Sequence, residues 1–246
     1  HLLIDPREQA LSEHGHLMLF TKPSMSKQGE QIALDQIIAH RVPGIIAVLS
    51  PSDHDTRAFQ SIVDQGVKLV TVNEEVKGLK APQIVCDDYT SSRIATEHLI
   101  SLGHRRIVNL AIPLTSEHSR ERAKGFTDAL KNAGLAVDES SIVETELSEE
   151  AGAQAMKRLL KQKNPPTAVV ARHDIVALGA MDAVFSAGLS VPEDVSIVGL
   201  GDVWRNNALR VPLTTLRYPF EKMASRGAKM LLQMLDGEDV PAVTEV

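Results

Sequence analysis

Residues 95–113, ATEHLISLGHRRIVNLAIP, decide the fold that the sequence predicts. The helical part carries a largely apolar stripe at three-and-four spacing, formed by Ile94, Ala95, His98, Leu99 and Leu102. We expect Gly103 to end this helix in the left-handed conformation, with the basic residues 104–106 beside the exposed carbonyls of its last turn. That basic turn is predicted to be solvated, and an interface is the alternative. A short, mostly apolar run at residues 107–112 follows at once, which predicts half of a parallel βαβ unit.

The same alternation of helices and strands extends over the whole chain. Strands are predicted at residues 16–20, 44–49, 68–72, 83–86, 107–112, 142–144, 167–171, 196–200 and 213–216. Further helices are predicted at residues 2–13, 29–41, 56–65, 149–162, 175–187 and 220–235, and from the N-cap Ser119 to Gly134. The predicted fold class is therefore α/β, with two doubly wound parallel sheets in series.

Two α/β halves joined near Pro113 give the predicted domain organisation. Residues 1–112 with 217–246 form the N-terminal subdomain, and residues 113–216 form the C-terminal subdomain. The segment after the second half is expected to return to the first. Because no strand precedes the first helix, the chain is expected to begin part-way into its first βα unit.

Composition excludes several classes of protein. The chain has 246 residues, of which 43% are hydrophobic, so it can bury a substantial core. A net charge of −6 argues against a nucleic-acid surface on this stretch. No apolar run is long enough to span a bilayer, and no signal-peptide pattern opens the chain. Cys86 is the one cysteine, which favours a reducing cytoplasm.

Candidate functional residues are those at the carboxyl ends of the predicted strands, where ligands bind in open parallel sheets. These positions are residues 47–50, 73, 86–88, 113–122, 172–174, 201–202 and 217–220. The sequence has no phosphate-binding loop, dinucleotide fingerprint, nucleophile elbow or His/Cys cluster at metal spacing. We therefore expect a binding protein with no metal or cofactor, and not an enzyme.

Several of these residues have a structural alternative. Arg122 is either an ion-paired helix residue or a fork that holds the hydroxyls or carboxylate of a ligand. Asp174 is predicted to be an N-cap, while His173 would point into a cleft. Cys86 is predicted to be a small buried apolar residue. Trp204 is as well suited to a rim or an interface as to ligand stacking.

Five segments in order resemble the effector-binding core of the LacI/GalR family of bacterial transcription regulators. They are HLISLGHRRI with the preceding Asp87, SRERAKGFTDALKNAGL at 119–135, PPTAVVARHDIVALGAMDAV at 165–184, GLSVPEDVSIVGLGD at 188–202, and VPLTTLRYPFEKMASRGAKMLL at 211–232. The resemblance implies a type I periplasmic-binding-protein-like core, with a ligand cleft between two subdomains, that works as a cytoplasmic homodimer. It also implies operator binding through an N-terminal helix-turn-helix head. That head, the first strand and a strand after Val246 are expected to be missing from this chain.

The resemblance also assigns ligand-binding roles to single positions. Arg122 matches the arginine of the family's RxxGF motif, and His173 stands where the family usually has asparagine. Gly201 replaces an acid and Leu147 an aromatic residue, and both changes should weaken the binding of an ordinary pyranose, so the effector is left open. The predicted ligand-binding set is Arg122, His173, Asn73, Phe220, Tyr218, His118, Leu147, Gly201, Asp202, Cys86 and Ala47.

The leading hypothesis is thus the sensing core of a transcriptional regulator, in which a small-molecule effector shifts the population between two conformations. A transport-type extracytoplasmic binding protein on the same fold is the alternative. An α/β enzyme is disfavoured because no nucleophile, base and orienting group occur at a readable spacing.

Overall fold

A computed structural model of the chain describes residue 12 and residues 15–21, 27–49, 56–73, 75–202 and 211–246. The chain forms two compact units. Unit 1 comprises His1–Asp87 and Pro219–Val246, and unit 2 comprises Asp88–Tyr218. Each unit has one parallel sheet with helices, which confirms the predicted α/β class.

Unit 1 is built on a four-stranded sheet in the order β1-β2-β3-β9, with every pair parallel. Its helices and strands are α1 (Lys27–Ala39), β1 (Gly44–Val48), α2 (Thr56–Asp64), β2 (Lys68–Asn73), β3 (Gln83–Val85), α7 (Phe220–Leu235) and β9 (Val243–Glu245). The inner strand β2 buries Leu69 and Val70, and Gly227 of α7 lies against side chains of the sheet. The final helix thus belongs to unit 1, as expected.

Unit 2 is built on a five-stranded parallel sheet in the order β5-β4-β6-β7-β8. Its helices and strands are α3 (Asp88–Ser101), β4 (Ile107–Ala111), α4 (Glu117–Asn132), β5 (Ile142–Glu144), α5 (Glu149–Leu160), β6 (Ala168–Ala171), α6 (Asp174–Ser186), β7 (Ser196–Gly201) and β8 (Thr214–Arg217), with a 3-10 turn at Glu139–Ser141. Val169 and Ala171 join the core under α5 and α6, whereas Ala168 and Val170 join the core under α3 and α4. Both faces of β6 are therefore buried, which explains its continuous apolar sequence.

The end of α3 follows the prediction, but its buried face does not. Gly103 has a φ of +93°, and the backbone N–H of His104 donates to the carbonyl of Leu99 at 3.2 Å, which closes the helix with the expected glycine turn. The guanidinium of Arg105 donates to carbonyls in the same turn. The predicted stripe was partly wrong, because Ile94, His98 and Leu102 are exposed. The buried residues of the helix are Asp88, Ser92, Ala95, Thr96 and Leu99.

The predicted domain boundaries need correction. Residues 88–112 belong to unit 2 and not to the N-terminal subdomain, because β4 pairs with both β5 and β6 near the centre of the second sheet. The second boundary between the units lies between residues 218 and 219, close to the predicted boundary between residues 216 and 217. The sequence analysis predicted no strand at residues 243–245, where β9 pairs with β3.

Residues 16–20 do not form the predicted strand. They pair with no described strand, and Leu17, Leu19 and Phe20 are exposed. An isolated extended segment has no partner for its backbone groups, so apolar alternation alone does not make it a strand. The predicted helix at residues 2–13, except residue 12, and Trp204 lie outside the described residues.

Two N-caps also differ from the prediction. Ser116, not Ser119, caps α4, and Ser119 is the third helical residue of a capping box in which each side chain bonds the backbone of the other. His173, not Asp174, caps α6, because its Nδ1 accepts from the backbone N–H of Ile175 at 3.3 Å. Ser148 caps α5 as predicted.

Candidate functional site

The candidate site of unit 2 is organised around Arg122 on α4. Phe126, one turn further along, is fully buried and fixes the rotation of the helix on the sheet. Gly125 lets α4 approach α3 closely, since a Cβ atom there would lie 2.1 Å from the carbonyl oxygen of Tyr89. These contacts hold the Arg122 side chain at the carboxyl ends of the strands, with only 5% of the residue exposed.

Arg122 contacts three groups of unit 2. Its Nε donates to the carboxylate of Asp88, the first residue of α3, and the two residues form a buried ion pair. Its Nη1 donates to the backbone carbonyl of Arg172 at 2.9 Å, directly after β6. The ring of Tyr218 lies over the guanidinium, with 5.7 Å between the ring centroid and Cζ. The guanidinium is therefore fixed by contacts from three different parts of the unit.

His118 shares the carboxylate of Asp88 with Arg122. Burial, followed by the positive charges of Arg122 and Arg172, lowers the pKa of His118 to about 3. The ring is thus neutral, and because the carboxylate only accepts, the proton lies on Nδ1, which donates to Asp88. The site therefore holds a buried carboxylate between one cation and one neutral donor.

This histidine predicts a pH dependence of stability. The unfolded ring titrates near its ordinary pKa of 6.5 and the folded ring near 3, so between these values the unfolded state binds one more proton. The free energy of unfolding should be fully retained above the unfolded pKa and fall as the pH drops below it, by up to about 1.4 kcal/mol per pH unit. Urea denaturation of the wild type and of His118→Asn across this window measures the slope. The variant keeps a donor and does not titrate, so equal slopes in the two proteins would contradict the assignment.

The segment after β6 places three further polar residues beside this cluster. Arg172 is 7% exposed, and His173 caps α6. Burial lowers the pKa of His173; Asp174 opposes this, while Arg172 and Arg122 add to it. Asp174 is almost fully buried and accepts from the Thr215 hydroxyl at 2.6 Å. His173 is therefore held close to both arginines in its neutral form.

Gly201 and Asp202 lie at the end of β7. Gly201 has a φ of +142°, a backbone conformation that a residue with a Cβ atom rarely adopts. Its carbonyl accepts from the backbone N–H of Tyr218 at 3.1 Å, and Asp202 accepts from Arg217 Nε at 2.6 Å. Leu147 lies in the loop before α5 with 50% of its surface exposed.

Four predicted ligand-binding residues lie in unit 1. Asn73 ends β2 with a φ of +89°, and its Nδ2 donates to the carbonyl of Leu49 at 2.7 Å. Ala47 lies in β1, Cys86 directly follows β3, and Phe220 is the first residue of α7. Ala47, Asn73 and Cys86 are at or near the carboxyl ends of their strands, as the sequence predicted.

The structure brings together Arg122, His118 and Tyr218 of the predicted set, with His173 next to them. Asp88, Arg172 and Ser92 were not predicted as individual site residues. Asp88 and Arg172 fall within the segments 86–88 and 172–174, and their position at the ends of predicted strands was the signal that could have identified them. No sequence signal could have identified Ser92, because a serine one turn into a helix looks like any other polar residue of a helix.

Comparisons with known proteins fit this architecture. The family model of the periplasmic binding protein-like domain matches residues 96–246. The chain is 32% identical over 241 residues to the HTH-type transcriptional regulator GalR of Escherichia coli strain K12, covering 97% of this chain and 69% of that protein. It is 32% identical over 235 residues to the HTH-type transcriptional repressor CytR of the same strain, covering 95% and 68%. A solved complex of the transcriptional regulator CelR with cellobiose is 27% identical, with a TM-score of 0.86, covering 99% of this chain and 75% of that one.

The chain therefore belongs to the LacI/GalR family of transcriptional regulators, and it corresponds to their effector-sensing core. The transport-type alternative is not supported, since these relatives are regulators. The chain spans 62% to 69% of the length of the first curated relatives that it matches. Among the described residues, no helix is both long and apolar enough to cross a membrane, and no group of His, Cys, Asp and Glu is arranged to hold a metal ion.

Proposed function

We propose that this chain senses a small polar metabolite, a sugar or a related compound, and that Arg122 is its central ligand contact. The observation that carries the proposal is the fixed guanidinium of Arg122 at the strand ends of unit 2. Asp88 and the Arg172 carbonyl orient it, so little side-chain entropy is lost when a ligand binds. CelR, a relative by structure, was solved with cellobiose, which supports a sugar-type effector.

The remaining roles follow from the family. The chain acts as a cytoplasmic homodimer without enzymatic activity, and a helix-turn-helix of the whole protein contacts operator DNA. His118, His173, Tyr218, Leu147, Gly201 and Asp202 of unit 2, and Asn73, Phe220, Cys86 and Ala47 of unit 1, are further proposed ligand contacts. Binding acts by population shift, so the effector changes DNA affinity only by its differential affinity for the two conformations.

A thermal-shift screen tests this function. The purified chain is heated with cellobiose, ribose, galactose, sugar acids and nucleosides, and a true effector at 100 times its Kd should add about 2.7 kcal/mol to the free energy of unfolding. Asp88→Asn with Arg122→Gln should lose this gain, while Asp88→Asn alone should keep most of it. The two variants differ only at position 122, and in Asp88→Asn alone Nη1 of Arg122 can still donate to the Arg172 carbonyl, so the comparison isolates the contribution of the guanidinium. Equal stabilisation of both variants would exclude Arg122 as the ligand contact.

Dimerisation is tested separately by sedimentation velocity. We expect a dimer in the wild type and in both variants, because the substituted side chains are buried within unit 2. A monomer at micromolar concentration would contradict the proposed homodimer.

A further inference from the structure

A pocket of unit 1 lies at the amino-terminal end of its sheet, and its volume is about 130 Å³. The apolar part of its lining comes from the last turns of α2 and α7, from β2 and the segment leading into it, and from the loop before β3. These lining residues are Val63, Val67, Leu69, Ala81 and Met234. The proposed ligand contacts Ala47, Asn73 and Cys86 lie at or near the opposite, carboxyl ends of the strands. The pocket is thus separate from the effector contacts proposed for unit 1.

The size of the pocket suits a small hydrocarbon group. An apolar cavity of about 150 Å³ binds benzene, so the pocket has room for a branched chain of about five carbons. Its floor belongs to the core of the unit, since Leu69 and Ala81 are only 1% and 8% exposed. A ligand therefore meets a preformed apolar surface.

The backbone around the pocket offers few hydrogen bonds to water. The backbone N–H groups of the lining residues 66–68 all donate to carbonyls of unit 1, at 2.9–3.3 Å. The backbone N–H of Lys80 donates to the side-chain oxygen of Gln60 at 2.9 Å. Because a buried water needs several polar partners, these occupied donors favour an apolar group over water in the pocket.

Two lysines supply charge at the rim of the pocket. Lys68 and Lys80 are exposed, they are the charged residues of the lining, and neither forms an ion pair with a described residue. The carboxyl ends of α2 and α7 each carry a partial negative charge of about half a unit, which is less than the full charge of each ammonium group. The carbonyls of Val63 and Met234 at these ends already accept from backbone N–H groups. The rim therefore favours an anion.

We propose that this pocket is a second small-molecule site, and that it binds a short branched aliphatic carboxylate. The hydrocarbon tail occupies the apolar pocket, and the carboxylate pairs with Lys68 and Lys80 at the rim. Burial of the tail supplies most of the affinity, because ion pairs at an exposed rim contribute little. Since the ligand has few atoms, its Kd should lie in the millimolar range. Binding here does not involve Arg122.

A titration with isovalerate at constant ionic strength tests the proposal. Binding is followed by NMR of isotopically labelled methionine methyl groups. The signal of Met234, assigned with Met234→Leu, should shift in a saturable way because this residue lines the pocket. Isoamyl alcohol has the same carbon skeleton without the charge and should bind about 2- to 5-fold more weakly. Acetate has the charge without the tail and should give no saturable shift. Equal affinities for isovalerate and the alcohol, or no saturable shift with isovalerate, would overturn the proposal.

A pair of double lysine variants tests the charge. Lys68→Gln with Lys80→Gln should lower the affinity for isovalerate about 2- to 5-fold and leave that for isoamyl alcohol unchanged. Lys222→Gln with Lys229→Gln is the matched control, because it removes the same charge from exposed positions of α7 outside the lining. The control should bind isovalerate like the wild type. Equal affinities of the two double variants for isovalerate would contradict the role of Lys68 and Lys80.

Filling the pocket tests the location of the tail. Ala81→Leu adds a branched side chain to the lining and should abolish the binding of both isovalerate and the alcohol; if this variant fails to fold, the lysine variants still decide. Asp88→Asn with Arg122→Gln should bind isovalerate like the wild type, because both substitutions are in unit 2. Loss of isovalerate binding in that variant would assign the ligand to the effector site and overturn the proposal.

Discussion

Replacing Arg122 by alanine is expected to lower the free energy of unfolding by about 3–5 kcal/mol, because it removes the cation from a buried ion pair. Asp88 is 4% exposed, and after the substitution its carboxylate would keep the hydrogen bond from neutral His118 but lose its ion pair. Uncompensated burial of that charge outweighs the loss of packing around the arginine stem. Urea denaturation at neutral pH measures the change.

A double variant separates the charge effect from the packing effect. Asp88→Asn combined with Arg122→Ala removes both charges, and His118 can still donate to the amide oxygen. It should recover the larger part of the lost stability. If the double variant is no more stable than Arg122→Ala, then Arg122 does not stabilise the protein through its ion pair with Asp88.

Replacing Gly125 by alanine should cost at least about 2 kcal/mol, although the substitution improves helix propensity by about 1 kcal/mol. The added Cβ would lie 2.1 Å from the carbonyl oxygen of Tyr89, and a backbone atom of α3 has no rotamer by which to move away. The helices must separate, which also moves His118 and Arg122 away from Asp88. We therefore expect the pH dependence attributed to His118 to weaken in the same variant.

Gly134→Ala is the matched control for this prediction. A Cβ at Gly134 would meet nothing within 4 Å, and only its φ of +69° opposes the substitution. It should cost about 1–2 kcal/mol and leave the pH dependence unchanged. If the two alanine variants behave alike, the close approach of α3 and α4 does not control the site.

Much of the fold could be predicted because it is encoded locally. Gly103 and the apolar run after it specify a helix end and a buried strand without reference to distant residues. The domain boundary could not be predicted in this way, because β4 looks the same in sequence whether it joins the first sheet or the second. Only its pairing with β5 and β6 decides the matter.

The candidate site could likewise be predicted only where the signal is local. The family motif identified Arg122, but its partner Asp88 is 34 residues earlier in the chain, and no local pattern connects the two. The N-cap of α4 shows that even a local prediction can be ambiguous. Ser116 and Ser119 both suit an N-cap, and the structure uses one as the cap and the other as the reciprocal residue of the capping box.

The partners of Arg122 include the first and the last residues of unit 2, Asp88 and Tyr218. The polypeptide enters and leaves this unit next to the same guanidinium. Arg122 is thus the side chain that ties together the two ends of this unit, so its loss would leave both chain crossings without a shared contact.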